Sequence, residues 1–182
     1  VLPYQRPPLS KAFLAGDMME SRLYLRPEHV YDQAGIVRYL GVSVVQIDTE
    51  LQSIKLSNGE WLSYDKLVLA TGARARVLDI QGRGLEGVFC LRSLSDVDRM
   101  RPRFEAAKSI AILGGGYIGL EVAAIARKLG KSVYIVEKED RLLARPATPQ
   151  TSAFFQKLHE EEGVQMRLGC HAEAIEGAGQ VL

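Results

Sequence analysis

Three glycines in the second half of the chain have the spacing of a dinucleotide-binding turn. Gly114, Gly116 and Gly119 form the pattern G-x-G-x-x-G within SIAILGGGYIGLE. In such a motif the first glycine permits a tight turn, the second lets the backbone approach a pyrophosphate, and the third lets a helix pack closely on a strand. The amide groups at the start of that helix face the phosphate charge. The alternative is a glycine-rich strand-to-helix turn that binds no ligand.

The elements around this motif favour the dinucleotide interpretation. A β-type run over 110–113 precedes it, an amphipathic helix follows, and 133–136 has the composition of a second parallel strand. Glu137 ends that strand, 18 residues after Gly119. A carboxylate there accepts hydrogen bonds from the ribose hydroxyls of NAD and repels the 2′-phosphate of NADP, which favours NADH. Arg141 lies nearby in sequence and would soften this exclusion, so some NADPH use stays open. A plain surface glutamate is the alternative for Glu137.

Glu121 is the one charged residue between Ser109 and Ala126. An acid in the first turn of a helix has a favourable interaction with the helix dipole. Next to a redox cofactor, the same carboxylate would instead pair with a buried cation. The residues alone leave both interpretations open.

The first half of the chain predicts two short helices and an antiparallel meander. The helices are expected from Ser10 to about Ala15, ended by Gly16, and from Pro27 to about Ala34. The strands are expected over 42–48, 52–57 and 60–64. Asn58-Gly59 predicts a type I′ hairpin turn, because both central positions of that turn need positive φ. The continuous apolar run 67–70 predicts a strand that is buried on both faces.

The second half alternates strands and helices. Helices are expected over 95–107, 117–129 and 149–162, and strands over 109–113, 132–136 and 164–168. The last residues, 177–182, predict a turn and the start of a strand. A boundary between the meander and the alternating part is expected near 88–95. The fold class is therefore α/β.

Composition excludes several classes of protein. The chain has 182 residues, 47% of them hydrophobic, and a net charge of +1, so neither disorder nor a charge-driven nucleic-acid or membrane partner is indicated. Cys90 and Cys170 are single, which predicts no metal site, no redox CxxC pair and no disulfide framework. The three histidines are scattered and interpreted as non-catalytic: His29, His159 and His171. A cytoplasmic location is expected.

Four segments in this order carry a family resemblance: PYQRPPLSKAFLAG, DKLVLATGARAR, LRSLSD and ILGGGYIGLE. Together they resemble the FAD- and NADH-dependent ferredoxin reductases of bacterial oxygenase systems, to which apoptosis-inducing factor is more distantly similar. The resemblance implies two Rossmann-like FAD/NAD(P)-binding domains of the glutathione-reductase type, both incomplete here. Residues 1–90 would be the middle part of the FAD-binding domain, and 91–182 the N-terminal part of the inserted NAD-binding domain. We therefore expect a piece of a longer protein that does not hold FAD tightly by itself.

The resemblance also implies roles for individual residues. Lys11, the lysine of PPLSK, would reach the flavin ring near N5 and pair with Glu121, which favours the functional interpretation of that acid and makes the two a catalytic pair. Tyr117 would lie where the nicotinamide enters, with simple packing as the alternative. Cofactor contacts are implied, besides these three residues, for Arg6, Val44, Ala70, Thr71, Gly72, Arg92, Gly114, Gly116, Ile118, Gly119, Glu137 and Arg145.

The segment PYQRPPLSK lacks cysteine, whereas related disulfide reductases carry a redox pair just before this point. The resemblance then implies that electrons enter as hydride from NADH and leave the FAD one at a time to ferredoxin or rubredoxin. No metal is expected in the chain itself. Two alternatives stay open: an NADH oxidase, and an NADH-binding redox sensor similar to apoptosis-inducing factor. Neither the acceptor protein nor the oligomeric state can be read from these residues.

Overall fold

The structure is a computed structural model that describes residues 1–177, and these form two compact units. The first unit contains 1–4 and 24–74, and the second contains 5–23 and the residues from Ala75 onward. One sheet is antiparallel and the other parallel, so the α/β class is confirmed. The assignment of 1–90 and 91–182 to two cofactor domains stays a prediction. The strand start expected at the end of the chain falls on 178–182, outside the described residues.

The first unit contains one short helix and a meander, as expected. Its elements are α1 (Glu28–Gln33), β1 (Val44–Asp48), β2 (Ser53–Leu56) and β3 (Trp61–Ser63). The strands pair in the order β1-β2-β3, and Ile54 lies opposite both Ile47 and Leu62. Ile47 and Ile54 each lie between two polar residues, and this alternation favours the observed register.

The hairpin turn lies where the sequence predicts it, but its type differs. Gly59 has a φ of +91°, whereas Asn58 is not among the residues with positive φ, so the type I′ prediction is wrong. The Asn58 side chain accepts a hydrogen bond from the Glu60 amide at 3.2 Å, and the Gly59 amide donates to the Leu56 carbonyl at 2.9 Å. This local side-chain bond lets the asparagine turn the chain without the left-handed conformation.

The run 67–70 is not a strand, so that prediction is wrong. Val68 and Leu69 are 84% and 67% exposed, and no strand within residues 1–177 pairs with them. A strand buried on both faces needs neighbours that take its backbone hydrogen bonds. The apolar composition of the run cannot supply those neighbours.

The second unit contains a three-stranded parallel sheet with helices between its strands. Its elements are α2 (Leu94–Ala106), β4 (Ser109–Leu113), α3 (Tyr117–Lys128), β5 (Ser132–Val136), α4 (Pro149–Glu161) and β6 (Val164–Arg167). The strand order is β4-β5-β6, as in half of a dinucleotide-binding fold. All six elements agree with the predicted ones to within one residue at each end. Among the described residues, no helix is long and apolar enough to cross a membrane.

Small and apolar side chains let α3 lie close to the sheet. Ala123 and Ala126 on α3, and Val133 and Ile135 on β5, are fully buried. At the start of α3, a Cβ atom added to Gly119 would lie 2.1 Å from the Gly114 carbonyl oxygen and 3.3 Å from a methyl group of Ile112. The third glycine of the motif therefore permits the close approach of helix and strand that the sequence predicts.

Buried polar side chains tie the helices of this unit together. The Lys131 Nζ atom donates to the carbonyl oxygens of Glu105 at 3.0 Å and Ala107 at 2.8 Å, and so binds the end of α2. The ring nitrogens of His159 on α4 lie 2.9 Å from the Phe155 carbonyl oxygen and 3.2 Å from the Leu120 carbonyl oxygen. His159 thereby joins α4 to α3.

The segment 5–23 packs into the second unit although it comes from the start of the chain. It begins with a 3-10 helix, Pro7–Ser10, followed by turns that end at Gly16 with a φ of +81°. The prediction of a helix from Ser10 to about Ala15 is therefore wrong, and the short 3-10 helix ends at Ser10 and begins at Pro7, because proline suits the first positions of a helix. The segment is held by side chains that are almost completely buried: Leu9, Phe13, Leu14 and Leu23.

Helix α2 begins with a capping box, in which Ser93 and Asp96 bond each other's backbone amides. Burial by itself would raise the pKa of Asp96. Hydrogen bonds from the Ser93 side chain and backbone, the Arg99 side chain and the Arg92 backbone outweigh burial and hold that pKa below its usual value. Ionised Asp96 thus stabilises the folded state.

We expect Gly119→Ala to destabilise the protein by about 1–3 kcal/mol, because the added methyl group collides with the Gly114 carbonyl. Gly116→Ala is the matched control, since no heavy atom lies within 4 Å of its Cβ position and its φ is −83°. Chemical denaturation followed by circular dichroism measures both. Equal stability of the two variants would contradict the packing role of Gly119.

We expect Asp96→Asn to cost about 1 kcal/mol at neutral pH, through loss of the ionised cap. A carboxyl whose folded pKa is depressed contributes stability above its unfolded pKa, and this contribution is lost as the pH falls through the folded pKa. The difference between wild type and variant should therefore shrink below the ordinary Asp value of 3.8. Urea titrations at several pH values measure it, and a constant difference would refute this account.

Candidate functional site

The glycine turn between β4 and α3 leaves open space beside its backbone. Gly114 has a φ of +115°, and its amide donates to the Val136 carbonyl at 2.8 Å. Cβ atoms added to Gly114 or Gly116 would meet no heavy atom within 4 Å. No side chain caps the first turn of α3. A pyrophosphate fits this position, because the open space and the uncapped amide groups suit an anion.

Glu137 at the end of β5 is fixed by two backbone amides. One carboxylate oxygen accepts from the Gly115 amide at 2.6 Å, and the other accepts from the Glu139 amide at 2.9 Å. An ionised carboxylate offers about four lone-pair sites, so each oxygen can still accept a ribose hydroxyl. Glu137, which the sequence predicts to discriminate NADH from NADPH, is therefore also hydrogen-bonded to the glycine turn. The sequence did not reveal this bond.

Arg141 forms hydrogen bonds with the loop that follows β5 and with the start of α4. Its guanidinium donates to the Ser152 hydroxyl at 2.7 Å and to the carbonyls of Ala147 at 3.0 Å and Ala144 at 2.6 Å. These bonds hold the loop between β5 and α4 in place. Three of the five N–H donors of the guanidinium are thereby used, and the softened exclusion of NADPH stays a prediction.

Two leucines missed by the sequence analysis support the glycine turn. Leu142 and Leu143 are buried, and a Cβ atom at Gly115 would lie 2.5 Å from a methyl group of Leu142. The Leu143 amide donates to the Gly115 carbonyl at 3.0 Å. The signal was available, since this apolar pair directly follows the charged stretch EKEDR, 137–141.

The structure brings Lys11 and Glu121 together, as the resemblance implies. The Lys11 Nζ atom lies 2.7 Å from one Glu121 carboxylate oxygen, and the two side chains are 48% and 30% exposed. Because α3 begins at Tyr117, Glu121 lies in the second turn and not in the first. The interpretation of Glu121 as a first-turn acid that interacts with the helix dipole is therefore wrong.

Ser10 adds a third member to this group. Its hydroxyl donates to the other Glu121 oxygen at 2.5 Å, and the residue is only 3% exposed. The sequence predicts Ser10 only as the start of a helix and gives no indication of this bond. The residues around Ser10 do not predict this hydrogen bond, because the acceptor, Glu121, lies 111 positions further along the chain.

The other predicted cofactor residues of the second unit are placed as follows. Tyr117 and Ile118 are exposed at the start of α3. Arg92 is half-buried, and its Nε atom is buried without a hydrogen-bond partner among the described residues. Arg6 and Arg145 are exposed.

In the first unit, Val44 is exposed at the start of β1, and Ala70, Thr71 and Gly72 are exposed after the run 67–70. Gly72 has a φ of +70°, which suits a turn where the backbone approaches a ligand. In the described part of the chain, no group of three or more His, Cys, Asp or Glu side chains is arranged to hold a metal ion. Cys90 and Cys170 are both exposed.

The chain is similar to several known reductases. It is 44% identical over 178 residues to the ferredoxin reductase subunit of 5,5′-dehydrodivanillate O-demethylase from Sphingobium sp. (strain NBRC 103272 / SYK-6), covering 98% of this chain and 43% of that protein. It is 41% identical to a rubredoxin-NAD(+) reductase of Pseudomonas putida, and the match covers 97% of this chain and 46% of that protein. The crystal structure of the covalent putidaredoxin reductase–putidaredoxin complex matches with a TM-score of 0.92 at 39% identity, covering all of this chain and 45% of that one.

These matches confirm the resemblance to ferredoxin and rubredoxin reductases. The chain spans less than half the length of these curated relatives. The family model described as pyridine nucleotide-disulphide oxidoreductase matches residues 1–182. This chain, with its glycine turn and its parallel sheet, therefore belongs to the pyridine nucleotide-disulphide oxidoreductase family.

Proposed function

We propose that the whole protein is a flavoprotein oxidoreductase that passes electrons from NADH through FAD to a ferredoxin or rubredoxin that serves an oxygenase. The observation that carries this proposal is the Lys11–Glu121 ion pair. Glu121 follows the last glycine of the dinucleotide turn by two residues, so the acid of the pair lies on the helix that begins at that turn, and Lys11 contacts it from the segment 5–23. One unit of the protein therefore holds both a dinucleotide turn and a fixed charge for a redox cofactor.

NADH would be held by backbone and side chain together. The pyrophosphate would lie against the open backbone of Gly114 and Gly116, where the first amides of α3 face its charge. The Glu137 carboxylate, fixed at the end of β5, would accept the ribose hydroxyls and repel a 2′-phosphate. Tyr117 is exposed in the first turn of the helix and would cover the nicotinamide.

Individual residues of the chain would contact FAD. Bound FAD supplies the redox chemistry, because it accepts two electrons as hydride and releases them singly. The Lys11 ammonium would place a positive charge beside flavin N5, and Glu121 would fix its position. The buried Nε atom of Arg92 lacks a partner among residues 1–177, as expected of a group that binds a cofactor oxygen. Arg6, Val44 and the turn of Ala70, Thr71 and Gly72 are the further FAD contacts that we propose.

Two observations support a small iron protein as the electron acceptor. PYQRPPLSK contains no cysteine, so this segment cannot pass electrons through a disulfide. The relatives are named for ferredoxin or rubredoxin as acceptors, and one solved neighbour is a complex with putidaredoxin. One-electron transfer to a small iron protein is the route that fits both.

An anaerobic visible spectrum of the whole protein tests the proposal. We expect flavin bands that bleach on addition of NADH, and that return when an oxidised ferredoxin or rubredoxin is added. A colourless protein that takes up no FAD would refute the proposed function. Slow bleaching with a long-lived charge-transfer band and dimerisation would instead identify a redox sensor, and rapid reoxidation by oxygen alone would identify an oxidase.

We expect Glu137→Ala to narrow the preference for NADH over NADPH by about tenfold, because the variant loses both the ribose acceptor and the repulsion of the 2′-phosphate. The matched control is Glu139→Ala, which removes a neighbouring negative charge and keeps the carboxylate at the end of β5. The ratio of kcat/KM for the two nucleotides measures the effect. An unchanged ratio in Glu137→Ala would refute the assignment.

A further inference from the structure

We propose that Ser10 is a positioning residue, which orients the Glu121 carboxylate and through it the Lys11 ammonium. This inference rests on the proposed function, since it assigns Ser10 a role in reduction of the flavin by NADH. Ser10 itself does not need to contact the cofactor.

The two oxygens of the Glu121 carboxylate have separate donors. The Ser10 hydroxyl lies 2.5 Å from one oxygen, and the Lys11 ammonium lies 2.7 Å from the other. A carboxylate held at one oxygen can still rotate about its side-chain bonds, whereas contacts at both oxygens fix its plane. The bond to Ser10 therefore determines the direction in which the second oxygen faces Lys11.

Burial shows that Ser10 is the fixed member of this group. Ser10 is 3% exposed, whereas the Lys11 side chain is 48% exposed. An exposed ion pair is screened by water and holds its partners weakly. A buried hydroxyl that donates to an ionised carboxylate makes a short, charge-assisted bond, which is stronger than a neutral one. The Lys11 ammonium also donates a longer hydrogen bond to the Pro7 carbonyl at 3.3 Å. Its position therefore depends mainly on Glu121, and the orientation of Glu121 depends on Ser10.

The packing around Ser10 explains why its hydroxyl is held in a fixed position. Leu9 and Phe13, on either side of the Ser10–Lys11 pair, are buried in the second unit. From α2, the Arg101 guanidinium donates to the Phe13 carbonyl at 2.8 Å and lies 4.3 Å from the centre of the Phe13 ring. The Lys11 amide donates to the Pro8 carbonyl at 3.0 Å. The backbone that carries Ser10 is therefore held from several directions.

A purely structural serine would behave differently from a positioning one. If the Ser10 hydroxyl only satisfied a buried polar site, its loss would lower stability and leave electron transfer unchanged. If it orients Glu121, its loss changes the rate of flavin reduction and the conformation of Glu121, while the amount of bound flavin and the affinity for NADH stay the same.

The test compares Ser10→Ala and Ser10→Thr in the flavin-loaded whole protein by anaerobic stopped-flow reduction with NADH. We expect Ser10→Ala to reduce its flavin about tenfold more slowly at saturating NADH, and Ser10→Thr, which keeps the hydroxyl, to recover most of that rate. The matched control is Thr148→Ala, which removes a hydroxyl that caps α4 and keeps the wild-type rate. A wild-type rate in Ser10→Ala would overturn the proposal.

A double-mutant cycle with Glu121→Leu separates an action through Glu121 from a direct one. Leucine is chosen because the amide of glutamine would still accept the Ser10 hydrogen bond. We expect Ser10→Ala to have no further effect on the rate once Glu121 is replaced. Equal slowing in both backgrounds would show that Ser10 acts by another route and would overturn the proposal.

A crystal structure of Ser10→Ala gives a readout that does not depend on activity. We expect Glu121 in a different rotamer, with its oxygens more than 4 Å from the Lys11 Nζ atom. An unchanged ion pair would overturn the proposal. The outcomes also separate the two hypotheses. A wild-type rate in Glu121→Leu refutes the role of the Lys11–Glu121 pair in the proposed function. A slow Glu121→Leu with a fast Ser10→Ala refutes only the role of Ser10.

Discussion

The close contact between α3 and β4 at Gly119 determines where the rest of the candidate site lies. With hydrogen as its side chain, this residue lets the helix approach the Gly114 carbonyl more closely than any other residue would allow. The first amides of the helix are thereby placed at the glycine turn. Two residues further on, the same helix carries Glu121. A change in the packing of α3 would therefore move the anion-binding backbone and the carboxylate of the ion pair together.

The second determinant is the burial of the segment 5–23. Its apolar residues anchor a short 3-10 helix that ends at Ser10. Both Ser10 and the next residue, Lys11, contact Glu121. Neither contact requires the segment to be long or regular. A few large buried side chains suffice, because each one removes a sizeable apolar area from water and so holds the adjacent polar residues in place. Arg101 strengthens this attachment from α2.

Much of this arrangement could be predicted from the sequence, and the exceptions share a physical cause. The elements of the second unit follow from alternating apolar periodicity and glycine stops, which are local signals. The prediction of a buried strand over 67–70 was wrong because apolar composition indicates only a preference for burial. Burial itself depends on neighbouring strands. At Asn58, side-chain hydrogen bonding replaced the expected backbone conformation. The bond of Ser10 was missed because its partner Glu121 is set by the tertiary fold, and the Lys11–Glu121 pair came from resemblance alone.

The two backbone hydrogen bonds of Glu137 have a consequence for how this family can diverge. The acid at the end of β5 is also part of the glycine turn, since it accepts from the Gly115 amide. If Glu137 were replaced so that the site accepts the 2′-phosphate of NADPH, the Gly115 amide would lose its acceptor. The glycine turn would then lose one of the hydrogen bonds that stabilise it. A substitution that changes nucleotide selectivity at this position would therefore also weaken the turn, and compensating changes in the turn would offset that loss.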